Sequence, residues 1–158
     1  MLNIADLAAN VARPLLQPTP DVVLGTTDTG VELAVPVTPT PSAIFGTRGG
    51  AILNDDSLWI ADTGHHRLLG WKKLPTQDNA PADFVIGQLD FFHEGRNAKG
   101  SVSAFSLNVP TGIAACGNGM AVADPWNHRI LIWHKTPTQN NQPADNRSRS
   151  GRFFFRRE

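Results

Sequence analysis

The strongest constraint on this fold is a self-match at a fixed distance. Residues 58–71 read LWIADTGHHRLLGW and residues 120–133 read MAVADPWNHRILIW. Asp62 and Asp124, His66 and His128, Arg67 and Arg129, Trp71 and Trp133, and Asp83 and Asp145 all lie 62 positions apart, with no gap between 58 and 145. The same offset carries DFVIG at 83–87 back onto DVVLG at 21–25, and Gly112 onto Gly50. A match of this length at one period marks a repeat architecture, in which a supersecondary unit stacks on copies of itself.

Within each copy an alternating apolar run precedes a turn opened by Asp62 or Asp124, and Arg67 or Arg129 leads a second apolar run. Strand, tight turn, strand is the signature of a hairpin. GIAAC at 112–116 and its weaker counterpart GAIL add a strand before the hairpin, and DFVIG or DVVLG adds one after it. Four short antiparallel strands per unit, divided by Gly and Asn turns, describe a β-propeller blade and an all-β fold. About two blades are expected, at 49–87 and 111–145 within a segment spanning 21–145. The second lacks its outer strand, and DVVLG at 21–25 is an outer strand without a blade. Since propellers close with about four to eight blades, the ring is incomplete. One reading is a truncated or frame-shifted piece of a longer propeller. The alternative is a head-to-tail homo-oligomer in which 21–25 of one chain completes the last blade of the next.

Residues 1–20 are expected to hold a short amphipathic helix, set by Leu2, Leu7, Ala8 and Val11 and ended by Pro14, followed by a linker. They lack the basic start and unbroken apolar core of a secretory signal, and no apolar run in the chain is long enough to span a membrane. With Cys116 as the single cysteine, no internal disulfide can form. The expectation is a cytoplasmic protein. The formal net charge of zero hides an asymmetry. After Asp145 come Arg147, Arg149, Arg152, Arg156 and Arg157 against Glu158 alone, so 146–158 reads as a basic, disordered tail on a mildly acidic body. An acidic body is poor ground for nucleic acid, which is bound through clustered Lys and Arg.

The segments VADPWNHRILIW and IADTGHHRLLGW resemble the NHL repeat, whose core reads apolar-Ala-Asp-x-x-Asn-x-Arg-apolar. LNVPTGIA at 107–114 is similar to that family's Leu-x-x-Pro-x-Gly entry, and PADFVIGQLDF to the outer strand of long-spaced bacterial members. The first copy departs from the pattern at FGTRGGAI, which lacks the proline found at Pro110, and at His65, which stands where the second copy has Asn127. The resemblance implies a propeller and no particular activity, since NHL propellers serve as protein-binding, RNA-binding, sensory and occasionally metal-dependent lyase domains.

The residues that recur, Asp62, His66, Arg67, Trp71, Asp124, His128, Arg129 and Trp133, read as blade framework. Asp can accept backbone N–H bonds in the turn and hold the guanidinium at the same time. The two repeated tryptophans are expected to be buried between blades. The residues that differ are the candidates for an interaction surface: Trp59, His65 and Trp126, together with Phe91 and Phe92 in the long loop at 88–106. His65, His66, His93, His128 and His134 invite a metal reading with Asp62, Asp124 and Glu94. Adjacent His65 and His66 would point to opposite sides of a strand, so no metal or other cofactor is expected. No phosphate loop, nucleophile elbow or HExxH helix is present. The function expected is therefore a non-catalytic module binding another macromolecule, with protein favoured as partner. A fragment of a metal-dependent propeller lyase or lactonase is the alternative, and RNA binding through the tail a third.

Overall fold

A computed structural model describes residues 19–25 and 37–149. They form two four-stranded antiparallel sheets, each with its strands in sequence order. The first sheet holds β1 (Gly49–Ile52), β2 (Leu58–Asp62), β3 (Arg67–Trp71) and β4 (Phe84–Ile86); the second holds β5 (Gly112–Cys116), β6 (Gly119–Asp124), β7 (Arg129–Trp133) and β8 (Asn146–Arg149). The helix expected within 1–20 falls outside the described residues, apart from Thr19 and Pro20, and so does 150–158.

The 62-residue offset holds from β2 onward. Asp62 pairs with Arg67 and Leu58 with Trp71; Asp124 pairs with Arg129 and Met120 with Trp133. Upstream of the hairpin the offset is one residue longer. Gly49 pairs with Ala61 where Gly112 pairs with Ala123, so the structural counterpart of Gly112 is Gly49, not Gly50. The extra residue sits in the β1–β2 turn. There the Leu53 N–H donates to the Ser57 carbonyl (2.9 Å) across a three-residue turn, whereas Cys116 pairs with Gly119 across two residues. A turn absorbs an insertion that a ladder cannot, because a one-residue slip within a strand would turn its apolar set to the wrong face.

The expectation that the second unit lacks its outer strand is corrected. Asn146, Arg147 and Ser148 pair with Ile132, Leu131 and Ile130 as β8, so the strand runs through the first part of the basic tail. Strand pairing is made by backbone N–H and C=O groups, which a polar sequence carries as well as an apolar one. DVVLG at 21–25 is joined to neither sheet.

The sheets pack face to face, with β5 against β1 and β2. One face of the first sheet (Trp59, Ala61, Leu68, Ile86) meets one face of the second (Met120, Val122, Leu131, Trp133), with Leu107 from the connecting loop between them. The other face of the first sheet buries Leu69, Trp71 and Val85 beneath Leu24, Ile44 and Phe91. The fourth strand of the first sheet is gripped by the second unit. The Val85 N–H donates to Asn140 Oδ1 (3.1 Å), and the Val85 carbonyl accepts from the Asn141 N–H (2.7 Å). Val23 is held likewise one unit earlier, by Asp78 Oδ1 (2.7 Å) and the Asn79 N–H (2.8 Å). Gly25 and Gly87 close these two segments at φ of +103° and +93°, a region open to glycine and strained for other residues.

Candidate functional site

The hairpin turns of both units lie at one end of the sheets, together with the entry loops at 37–48 and 88–111. Each turn is a short 3₁₀ segment, Thr63–His65 or Pro125–Asn127, closed by a left-handed residue, His66 (φ 58°) or His128 (φ 51°). That conformation redirects the chain into β3 or β7, and it is what the two repeated histidines share.

Each turn encloses a buried carboxylate. Asp62 Oδ1 accepts the Phe45 N–H (2.8 Å), while Oδ2 binds His65 Nδ1 and Arg67 Nε, each at 2.7 Å. Asp124 Oδ1 accepts the Asn108 N–H (2.7 Å), while Oδ2 accepts from Asn127 Nδ2 (2.8 Å) and Arg129 Nε (2.7 Å). The guanidinium groups continue outward to main-chain carbonyls. Arg67 reaches those of Thr40, Ala43 and Phe91, and Arg129 reaches that of Ser106 (2.6 Å). One charged pair per unit thus ties the turn to its entry loop, and every oxygen of Asp62 and Asp124 is occupied. Breaking such a pair leaves an uncompensated buried charge, which costs several kcal/mol.

His65 is fully buried, which corrects its place among the candidate surface residues. The exchange of Asn127 for His65 preserves the chemistry, because each presents one N–H to the second oxygen of the turn aspartate. The imidazole adds a contact the amide lacks, from Nε2 to the Val37 carbonyl (2.7 Å). Burial disfavours the imidazolium. The hydrogen bonds to Asp62 and Val37 outweigh burial and raise the His65 pKa above the ordinary histidine value. His66 shifts the other way, through burial and the nearby Arg96 charge. Its Nδ1 accepts the Val109 N–H (3.0 Å), and Thr63 Oγ1 donates to the Pro110 carbonyl (2.6 Å). The turn of the first unit is thereby fastened to the entry of the second.

Trp59 is also fully buried, which overturns its assignment to a recognition surface. It lies nearly parallel to Phe84 (9°, centroids 6.3 Å apart) and donates from Nε1 to Ser57 Oγ (3.2 Å). Its register partner is Gly70, and that of its counterpart Ala121 is Ile132. The large residue has changed strands between the units, so the two differences form one substitution. Phe91 is half-buried against the back of the first sheet. Trp71 and Trp133 are buried, with Nε1 donating to the carbonyls of Ala80 (3.1 Å) and Gln142 (3.2 Å).

Trp126 and Phe92 are the candidates that remain outward, 64% and 68% exposed. Phe45 and Leu89 are exposed at the same end, Phe45 over the Gly64 turn and Leu89 beside Gln88. Gln88 itself carries no motif that marks it in the sequence. It is buried, and its amide donates to the carbonyls of His65, His66 and Gly95 (3.3, 3.2 and 2.8 Å), which pins the long loop to the turn. Asn97 pins it a second time, through reciprocal amide bonds with Asn127 (3.3 and 2.8 Å).

At the far end of the sheets a cleft of about 280 Å³ opens beside Trp59, Lys72, Phe84 and Asp55 and is closed by Thr136 and Thr138. Among the described residues no group of three His, Cys, Asp or Glu side chains could hold a metal ion, and no helix is long and apolar enough to cross a membrane. No protein-family model matches the chain, and no curated protein matches it.

Proposed function

We propose that the chain is part of an NHL-type β-propeller whose turn end binds another protein and performs no chemistry of its own. The observation that carries this reading is the division of side chains at that end. Asp62, Arg67, Asp124 and Arg129 are buried in the turns, while Trp126, Phe92, Phe45 and Leu89 are exposed beside the charged Glu94, Arg96 and Lys99. Exposed aromatics beside a rigid backbone suit protein recognition, where aromatic anchors contribute most of the affinity. Two further features support the propeller type. The four-stranded meander recurs, at an offset of 62 residues from β2 onward, and the Asp, the Asn or His, and the Arg of the motif converge in one buried network in both units.

The test is a photo-crosslinking amino acid placed in turn at 126, at 92 and, as control, at the exposed Ile52, which lies at the opposite end of the first sheet. Protein adducts at 126 and 92 but not at 52 are expected. Adducts to RNA, or none at the turn end, would overturn the reading. Stoichiometric zinc or calcium in the purified protein would favour the propeller lyase or lactonase reading instead.

A further inference from the structure

We infer that the outer face of the second sheet is a docking surface for a second copy of this chain. The copy sits head to tail, with its first sheet covering that face and its 21–25 segment taking the edge of β7.

The template for this contact is the interface between the two sheets. There the front of the first sheet is covered by Met120, Val122, Leu131 and Trp133 from the back of the second. At the 62-residue offset, the back of the first sheet carries Leu58, Ile60, Leu69 and Trp71. Each chain therefore displays a covering surface of the same pattern. It is incompletely used. Leu24 and Ile44 lie on it where Ile86 and Leu107 lie on the second sheet, and Leu58 and Ile60 stay half-buried.

The surface to be covered is equally defined. Register places Ala114, Ala121 and Ile132 in one cross-strand row and Ala123 and Ile130 in the next, all on one face of the second sheet. Four of these five side chains are half-buried, Ala114 is exposed, and none belongs to either core cluster. Their counterparts Trp59, Ala61 and Leu68 are fully buried. An apolar sheet face left open in this way is a site of association.

The 21–25 segment sets the geometry. Val23 is gripped by Asp78 and Asn79 as Val85 is gripped by Asn140 and Asn141. It therefore occupies the place of the fourth strand in a sheet packed behind the first, and among the described residues it has no third strand beside it. Carrying the β3–β4 register across to β7 puts Val22, Val23 and Leu24 opposite Ile132, Leu131 and Ile130. These are the positions now paired with Asn146, Arg147 and Ser148. Two segments thus fit one edge. The incoming apolar strand would displace β8, a form of strand addition in which the ladder supplies affinity and the side chains specificity. A repeated head-to-tail contact closes into a ring when its rotation allows. With two sheets per chain and about four to eight in a propeller, the ring holds about two to four copies.

Sedimentation of the full chain over a wide range of concentration tests this. A single species with the mass of two, three or four chains is expected, and β8 amides should lose hydrogen-exchange protection in it. Ile132→Lys breaks one surface and Ile60→Lys the other. Each alone should yield monomers, and an equimolar mixture should yield a heterodimer through the intact pair. Val22→Pro removes an N–H on the β7 side of the segment, since that of Val23 is given to Asp78; it should also lose the multimer and covers the case in which the lysine variants do not fold. A folded wild-type monomer at every concentration, a multimer indifferent to Val22→Pro, or folded lysine variants that fail to associate on mixing would each overturn the proposal. A monomer that assembles only after removal of 150–158 would do so too, by showing that the chain's own tail covers the face. None of these results bears on recognition at the turn end.

Discussion

Trp59 lies across Gly70, its register partner, so closely that a Cβ on Gly70 would come within 2.6 Å of the indole. Space in that row is occupied once, by a large residue on β2 and none on β3. In the second sheet Ala121 and Ile132 reverse the assignment.

Gly70→Ile alone should therefore be strongly destabilising, and Trp59→Ala alone should cost about 3–5 kcal/mol as a buried aromatic lost from a core. The double variant, which reproduces the row of the second sheet, should cost less than the sum. The coupling expected is about 1–3 kcal/mol, read from urea midpoints of the four proteins. Additive costs would mean that the two positions do not share one space.

His65 predicts a dependence on pH. Its folded-state pKa is raised, so the folded protein holds the proton more tightly than the unfolded chain. The stability this brings is fully present below the unfolded value of about 6.5, and is lost as pH rises through the folded value. His66 is shifted downward and works in the opposite sense, destabilising the fold as pH falls below the unfolded value. His65→Asn isolates the first effect, because asparagine keeps the bond to Asp62 that Asn127 makes to Asp124. The stability difference between wild type and variant should shrink from pH 6 to pH 9 in urea titrations. A constant difference would show that His65 binds its proton equally well in the folded and the unfolded protein, with no shift of its pKa.

Val109 has a left-handed backbone, φ 58°, which costs a β-branched residue about 1–3 kcal/mol. Its counterpart in the first unit is Gly46, φ 62°. Val109→Gly should keep the N–H bond to His66 and relieve that strain, offset by about 1 kcal/mol of added chain entropy. The expected result is unchanged stability or a gain of about 1 kcal/mol by thermal or urea unfolding. A loss clearly larger than 1 kcal/mol would show the valine side chain to be the more important contributor.

The hairpins, the strand order and the Asp–Arg pairs were readable in the sequence because each rests on a local period or a fixed spacing. The outer strand β8 was not, since an edge can be paired by backbone alone and Asn146-Arg147-Ser148 carries no apolar pattern. The candidate site was readable only in part. Of the positions that differ between the copies, Trp126 is exposed, whereas Trp59 and His65 are buried. At Trp59 the change is compensated by Gly70 on the neighbouring strand, and at His65 an imidazole N–H replaces an amide N–H. Neither compensation is visible until the strands are paired. Gln88 carries no sequence signal for a related reason: its partners are carbonyl groups, which every residue has.

The grip of Asn140 and Asn141 on Val85 bears on how such a chain can be divided. The units overlap like roof tiles, each pinned along its outer edge by the row that follows. A cut between β4 and β5 passes outside both sheets, yet it strips β4 of the side-chain and main-chain bonds at Val85 and bares the indole of Trp59. Fragments cut at sheet boundaries should therefore be poor folders. A cut in the polar loop at 72–83 leaves β4 attached to its neighbour but parts it from β3, whose ladder it completes.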